Sequence, residues 1–292
     1  MIVKQRAIQP IMSKRTVFCI IFSLLAFAGN SIICRMALKS DMIDPASFVI
    51  VRLGSASLLL VLLQAFSKSG KGIGGNWISA LFLLLYAIPF TFSYINLSAA
   101  TGALISFSAV QLTMIIIGLR NGEALNRLQF TGLIIAMSGL IVLLLPGATA
   151  PSLFDALLMA IAGIAWGFYS LRGRVSVNPL YDTAGNFIRA FPICLVVCIP
   201  LMKNIHISPE GLLLAAISGA VTSGLGYILW YQALKHIKAT QAAVIQLSVP
   251  VITSLFGVLL LGEILDFRIV TASAVILIGI ALVISRPKKT KV

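Results

Sequence analysis

The chain has 292 residues, of which 59% are hydrophobic and only 10% charged, with a mean hydropathy of +1.05. Soluble domains carry about 25% charged residues, so this composition excludes an ordinary water-soluble fold and points to a lipid-embedded one. The net charge of +14 would suggest nucleic acid in a soluble chain. Here the basic residues fall between and beyond the apolar runs with no clustered basic face, so no nucleic-acid partner is expected.

Ten apolar runs are predicted, at about 17–38, 46–66, 77–95, 98–119, 128–146, 153–173, 182–202, 210–232, 238–260 and 267–285. Each is near the length of about 20 residues that spans a hydrocarbon core as a helix. Asp44-Pro45 and Ser208-Pro209 supply an N-cap and a first-turn Pro before the second and eighth runs. Ser152 with Asp155 resembles a capping box opening the sixth. Loop signals stand at 67–72 and at Pro146-Gly147, and every connection is short. Ala26-Phe27-Ala28 looks like a signal-peptide cleavage site, but the apolar run continues to about Leu38, so cleavage is not expected.

The sequence repeats itself. Shifted by 140 positions, Ala103 falls on Ala243, Ile105 on Ile245, Thr113 on Thr253, Gly122-Glu123 on Gly262-Glu263 and Gly139 on Gly279. Shifted by 137, Arg35 falls on Arg172 and Arg52 on Arg189. Outside these four Arg, 15 of the remaining 18 Lys and Arg fall on one predicted side, and only Lys39, Lys203 and Arg268 on the other. The positive-inside rule then puts both termini in the cytoplasm, as an even helix count requires. Five helices per copy is an odd number, so the second copy must run inverted. The fold class is therefore an all-α membrane protein of ten transmembrane helices in two inverted five-helix repeats. Residues 17–146 and 147–285 form the repeats, between a basic cytoplasmic segment 1–16 and a basic tail 286–292.

With Gly122-Glu123 and Gly262-Glu263 closing the fourth and ninth runs, and Pro250 inside the ninth, the chain resembles the drug/metabolite transporter superfamily. Within it, the resemblance is to ten-helix transporters of two EamA-type repeats and covers about 17–285. Val110 stands where a Pro matching Pro250 would fall, so the two halves are not expected to bend alike. The resemblance implies a carrier for small organic molecules: an exporter of amino acids and related amphipathic metabolites across the cytoplasmic (inner) membrane. The alternatives it leaves are import or exchange of a nucleotide-like or amine compound; a passive channel is a more distant one.

All eight Asp and Glu lie at or near run ends, and His206 and His236 lie in loops, so no membrane-embedded proton relay is expected. Cys19, Cys34, Cys194 and Cys198 sit inside apolar runs without ligand spacing and are read as packing. No metal, cofactor or catalytic group is expected, and a monomer suffices because duplication already supplies both halves. Substrate contact is expected from uncharged polar groups at mid-depth: Asn30, Ser106, Gln111, Thr113, Gln246 and Thr253. Aromatic walls with polar tips are expected from Tyr86, Tyr94, Trp166, Tyr227 and Tyr231, at helical spacing with Phe90 and Ser223. Pro89 and Pro250 are candidate hinges. Gly163 and Gly167 offer a close-packing face, and Gly224 with Gly226 a loosened eighth helix. Glu123 and Glu263 read as helix-end residues at the water interface. Arg35 and Arg172 read as anchors, and Trp77 and Trp230 as interfacial aromatics. Arg52 and Arg189 read first as snorkelling or capping side chains, with attraction of an anionic substrate group as the alternative.

Overall fold

The computed structural model describes residues 13–67, 73–120, 127–144, 151–202, 205–237, 239–264 and 266–284. Gly122, Glu123, Lys68, Lys71, Lys203, residues 1–12 of the basic N-terminal segment, the basic tail 286–292 and Pro146-Gly147 lie outside them. Among the described residues eleven longer helices follow in order, with a short 3-10 turn at Ile199–Leu201. They are α1 (Lys14–Lys39), α2 (Pro45–Ala65), α3 (Trp77–Ser93), α4 (Ala99–Arg120), α5 (Arg127–Leu144), α6 (Leu153–Gly173) and α7 (Pro179–Cys198). Next come α8 (Pro209–Leu234), α9 (Ala239–Gln246), α10 (Ser248–Leu261) and α11 (Phe267–Ile284). Among the described residues, six helices are long and apolar enough to cross a membrane and four shorter ones are apolar.

The caps form where the sequence places them. Asp44 accepts from the Ser47 N–H at 2.9 Å and Ser208 from the Gly211 N–H at 3.0 Å, each ahead of a first-turn Pro. Ser152 accepts from the Asp155 N–H, but the Asp155 carboxylate turns away and accepts from Asn96 Nδ2 at 3.0 Å. The reciprocal capping box is therefore replaced by a tie between α6 and the α3–α4 turn.

The predicted ninth run is interrupted. It splits at Leu247 into α9 and α10, whereas its counterpart α4 runs unbroken. Pro250 has no N–H to give the carbonyl of Gln246, four residues back, and at the matching position Val110 keeps its donor. A second irregularity lies in α8, where Ser218–Leu225 adopts a π-helical turn between two α-helical pieces. It overlaps the stretch of small and polar residues around Gly224, where loosening was expected.

Helices that face both protein and lipid are apolar all round, and burial distinguishes the sides. On α1, Phe18, Ile21 and Leu25 are exposed while Phe27, Ala28 and Ile32 are buried. Glycines allow the tightest crossings. A Cβ on Gly163 would overlap the Ser106 carbonyl, one on Gly167 would press on Thr113, and one on Gly279 would overlap the backbone of Gly132 and Ala136. α6 thus lies directly on α4, and α11 on α5. With α9 and α10 taken as one interrupted body, ninth in order, and α11 as tenth, a regular scheme emerges. The third packs on the sixth and the eighth on the first; the fourth on the sixth and the ninth on the first; the third on the seventh and the eighth on the second. The second and seventh, fourth and ninth, and fifth and tenth pair directly. Exchanging each body with the one five places on maps this scheme onto itself.

Both ends of the bundle are tied. At the end holding the C-terminus of α1, the Arg35 Nε lies 3.6 Å from Glu263 Oε1, and Lys39 donates to the Leu261 carbonyl. There the Asp44 N–H donates to the His206 carbonyl, and Ile43 bridges to Ile207. At the other end Asp182 accepts from the Gly75 N–H, Asn186 from the Asn76 N–H, and Arg189 donates to the Gly74 carbonyl. Gly75 takes a φ of +68° there, a conformation glycine adopts without strain.

Candidate functional site

Between these ends, side chains from α1, α2, α3, α6 and α8 meet around Arg52. Arg52 is 1% exposed. Its Nε donates to Ser223 Oγ at 3.0 Å, and its Nη2 to the hydroxyls of Tyr86 and Tyr227 at 3.1 Å each. Its Cζ stands 5.2 Å from the Tyr86 ring centroid and 5.3 Å from that of Phe90. Ser223 lies 137 positions beyond Tyr86, and Tyr227 the same distance beyond Phe90. The arginine therefore sits between the matched stripes of α3 and α8. This corrects the snorkelling reading, because the side chain turns inward and ends on hydroxyls.

A buried cation costs about 2.5–3.5 kcal/mol on insertion scales. Hydrogen bonds to a charged group are worth about 1.5–3 kcal/mol each, so three suffice to hold Arg52 in place. They leave its charge uncompensated, since no carboxylate among the described residues lies within ion-pair reach. Its counterpart Arg189 is spent differently, on the Gly74 and Gly185 carbonyls and 5.8 Å from the Trp77 ring centroid.

Asn30 joins the same cluster. Its Nδ2 donates to the Tyr86 hydroxyl at 3.0 Å, and its Oδ1 accepts from Ser218 at 2.7 Å and Thr222 at 3.2 Å. The π turn of α8 carries Ser218, Thr222 and Ser223 together. On its flank Gly219 approaches α2 so closely that a Cβ would overlap the Arg52 carbonyl and Ser55 Oγ.

Aromatic rings wall the space beside the cluster. Trp166 lies 4.7 Å from Tyr227, 5.1 Å from Tyr86 and 5.1 Å from Phe27, ring centre to ring centre. With Ser31, Phe90, Ser106 and Phe107, three of these rings (Phe27, Tyr86 and Trp166) enclose a void of about 10 Å³, room for at most one water. Two larger grooves open outward, one between α4 and α6 and one among α4, α10 and α11. Their walls are nearly all aliphatic, with little to orient a polar solute.

Of the residues singled out in the sequence, Asn30, Tyr86, Ser106, Trp166 and Tyr227 gather at the centre. Gln246 reaches it through Trp166, whose Nε1 donates to its Oε1 at 2.9 Å. Gln111 instead donates to the Ala243 carbonyl, joining α4 to α9. Thr113 bonds back to the Ala109 carbonyl at 2.8 Å and presses on Gly167. Thr253 is buried with its hydroxyl unpartnered. The expected Ser106/Thr113 and Gln246/Thr253 stripe is therefore divided, one member of each pair reaching the centre. Tyr94 lies toward one end, over Gly102, and Tyr231 toward the other, over Gly173 with its hydroxyl on the Tyr169 carbonyl. Pro89 lies inside α3, where its carbonyl accepts from Ser93 Oγ at 2.7 Å.

Two further readings change. Trp230 is fully buried, donating to Ser170 Oγ at 3.2 Å, and is no interfacial anchor. Glu263 is partly buried, with its side chain only 6% exposed. Both its oxygens accept from the Ala99 N–H, at 2.9 and 3.0 Å, so it caps the N-terminus of α4 while facing Arg35. Arg35 donates in addition to the Tyr94 and Ile95 carbonyls, and Arg172 to Ser79 and Asn76. Sequence reasoning left Ser218 and Thr222 out of the site and gave Arg52 a place there only as the alternative to snorkelling. The available signal was the run Ser218-Gly219-Ala220-Val221-Thr222-Ser223-Gly224, small and polar inside an apolar segment.

An EamA-like transporter family model matches residues 153–285. An uncharacterized protein of Pseudomonas aeruginosa is 45% identical over 273 residues, covering 93% of this chain and 95% of its own. An uncharacterized transporter of Archaeoglobus fulgidus is 27% identical over 289 residues, covering 93% and 98%. A solved crystal structure, 15% identical, superposes with a TM-score of 0.68 over 92% of this chain and 96% of that one, a likeness of fold. With these similarities beside a helical bundle organised about a buried polar and aromatic centre, the chain belongs to the EamA-like transporter family, a multi-pass membrane transporter of the drug/metabolite transporter superfamily.

Proposed function

We propose that this transporter is a secondary carrier that exports small amphipathic metabolites, amino acids among them, by alternating access. In this reading the chain spans the inner membrane ten times, α9 and α10 together forming one crossing, with both termini cytoplasmic. The halves 17–146 and 147–285 are inverted copies, and one chain is the working unit. The observation that carries the proposal is the centre itself. Arg52, Asn30 and Tyr86 come from one half and Ser218, Ser223, Tyr227 and Trp166 from the other, at mid-length of their helices. A site at the seam of two halves is what alternating access needs. The packing scheme that maps onto itself under a shift of five supports the duplication.

With both ends tied and a central void of about 10 Å³, the conformation is closed at both ends. Each tie set joins the halves, so opening one end requires breaking one set while the other holds. The test is counterflow in proteoliposomes. Preloaded substrate accelerates uptake of labelled substrate through a carrier, and does not through a pore.

A further inference from the structure

We infer that the solute this carrier takes at its centre is an organic carboxylate with an apolar or aromatic body, the carboxylate being received by Arg52. The inference rests on the reading of the chain as a carrier with this centre. Arg52 is 1% exposed, and its Nη1 has no hydrogen-bond partner. Its three partners, Ser223, Tyr86 and Tyr227, are neutral hydroxyls that are themselves donors. The Tyr86 oxygen already accepts twice, from Arg52 and from Asn30, and the Asn30 oxygen is taken by two further hydroxyls. The cluster thus holds one positive charge and a surplus of hydrogens, with no anionic acceptor among the described residues.

Planar guanidinium with free N–H groups and flanking phenolic O–H groups matches the two oxygens of a carboxylate. The same inventory offers an ammonium no carboxylate partner, because no Asp or Glu among the described residues is paired with this cluster. The void beside the cluster is walled by Phe27, Phe90, Phe107 and Trp166, which suits a ring or alkyl body. Tyr86 belongs to both, lining the void and holding Arg52, so displacing its hydroxyl would connect the apolar space to the charge. An α-amino acid and its deaminated analogue share the recognised group; the surroundings make the amino group dispensable.

The test uses the purified full-length chain and four matched solutes: 3-phenylpropionate, phenylalanine, phenethylamine and 3-phenylpropanol. Propionate and indole-3-propionate bracket the body size. Melting temperature reports binding to the native state. 3-Phenylpropionate and phenylalanine should raise it and drive counterflow, and the amine and the alcohol should do neither. Arg52→Gln should weaken the response to the carboxylates at least tenfold, and Arg52→Lys should recover part of it. Equal responses to the amine or alcohol, or no response to any carboxylate, would overturn the inference, and neither outcome requires a variant to fold. Carboxylates that shift melting without counterflow would instead refute the carrier reading and leave the Arg52 assignment standing.

Discussion

At the residue scale, the centre depends on donors and acceptors that have no water to fall back on. Trp166→Phe keeps the ring stack but deprives the buried Gln246 oxygen of its donor at 2.9 Å. An unsatisfied buried acceptor costs about 1–3 kcal/mol, so this variant should melt lower while keeping its helical signal. Gly219→Ala places a Cβ against the Arg52 carbonyl and Ser55 Oγ, both part of the crossing of α2 and α8. Overpacking of this kind costs about 1–3 kcal/mol. The shift it forces also moves Ser223 away from Arg52, so ligand response should fall further than stability. Much of this centre was legible in the sequence, since Asn30, Tyr86, Trp166 and Tyr227 stand out as polar or amphipathic groups deep in apolar runs. For Arg52 the sequence left two readings open, outward snorkelling and attraction of an anionic group. Position along a run gives depth, but whether a long side chain snorkels outward or turns inward depends on which neighbours offer hydroxyls. Those neighbours, Ser223 and Tyr227, are about 170 residues away in the chain. Glu263 was misjudged for the same reason, because its partners Ala99 and Arg35 arrive from the other half.

At the scale of elements, boundaries followed from caps, prolines and hydropathy, and the departures followed from particular residues. Pro250 interrupts the predicted ninth run after Gln246, and Val110 leaves α4 whole. Pro250→Ala returns an N–H able to bond the Gln246 carbonyl, so α9 and α10 should merge into one helix. Helix propensity favours Ala over Pro by about 3 kcal/mol, so the melting temperature should hold or rise. Counterflow should slow, because the interruption beside Gln246 is where the second half can flex. Loss of abundance together with transport would assign the proline to folding instead. The π turn of α8 was foreshadowed by its small and polar residues, but the type of turn was not. It exists because Ser218, Thr222 and Ser223 each reach a tertiary partner on α1 or α2, which no local pattern encodes.

At the scale of the whole molecule, alternating access as proposed requires two halves that close over a shared centre and part at one end at a time. The end carrying Arg35, Lys39, Glu263 and the N-terminus of α4 is the simpler one to release, since Glu263 serves both Arg35 and the Ala99 N–H. Glu263→Ala removes an acceptor from each and should lower stability by about 2 kcal/mol, the scale of a charged hydrogen bond lost. It should also bias the protein toward opening at that end. Matched residues are the sequence signal for a repeat, whereas closure at the two ends belongs to contacts between residues far apart in the chain and leaves no local trace. The most direct measurement places a cysteine at Ser106, in the wall of the central void, in a chain whose Cys19, Cys34, Cys194 and Cys198 are replaced. Its reactivity toward a membrane-impermeant maleimide is then followed from each side separately. Alternating access predicts that Glu263→Ala raises labelling from the side of the α1 C-terminus and lowers it from the opposite side. Labelling that rises from both sides together, or fails to respond, would contradict it.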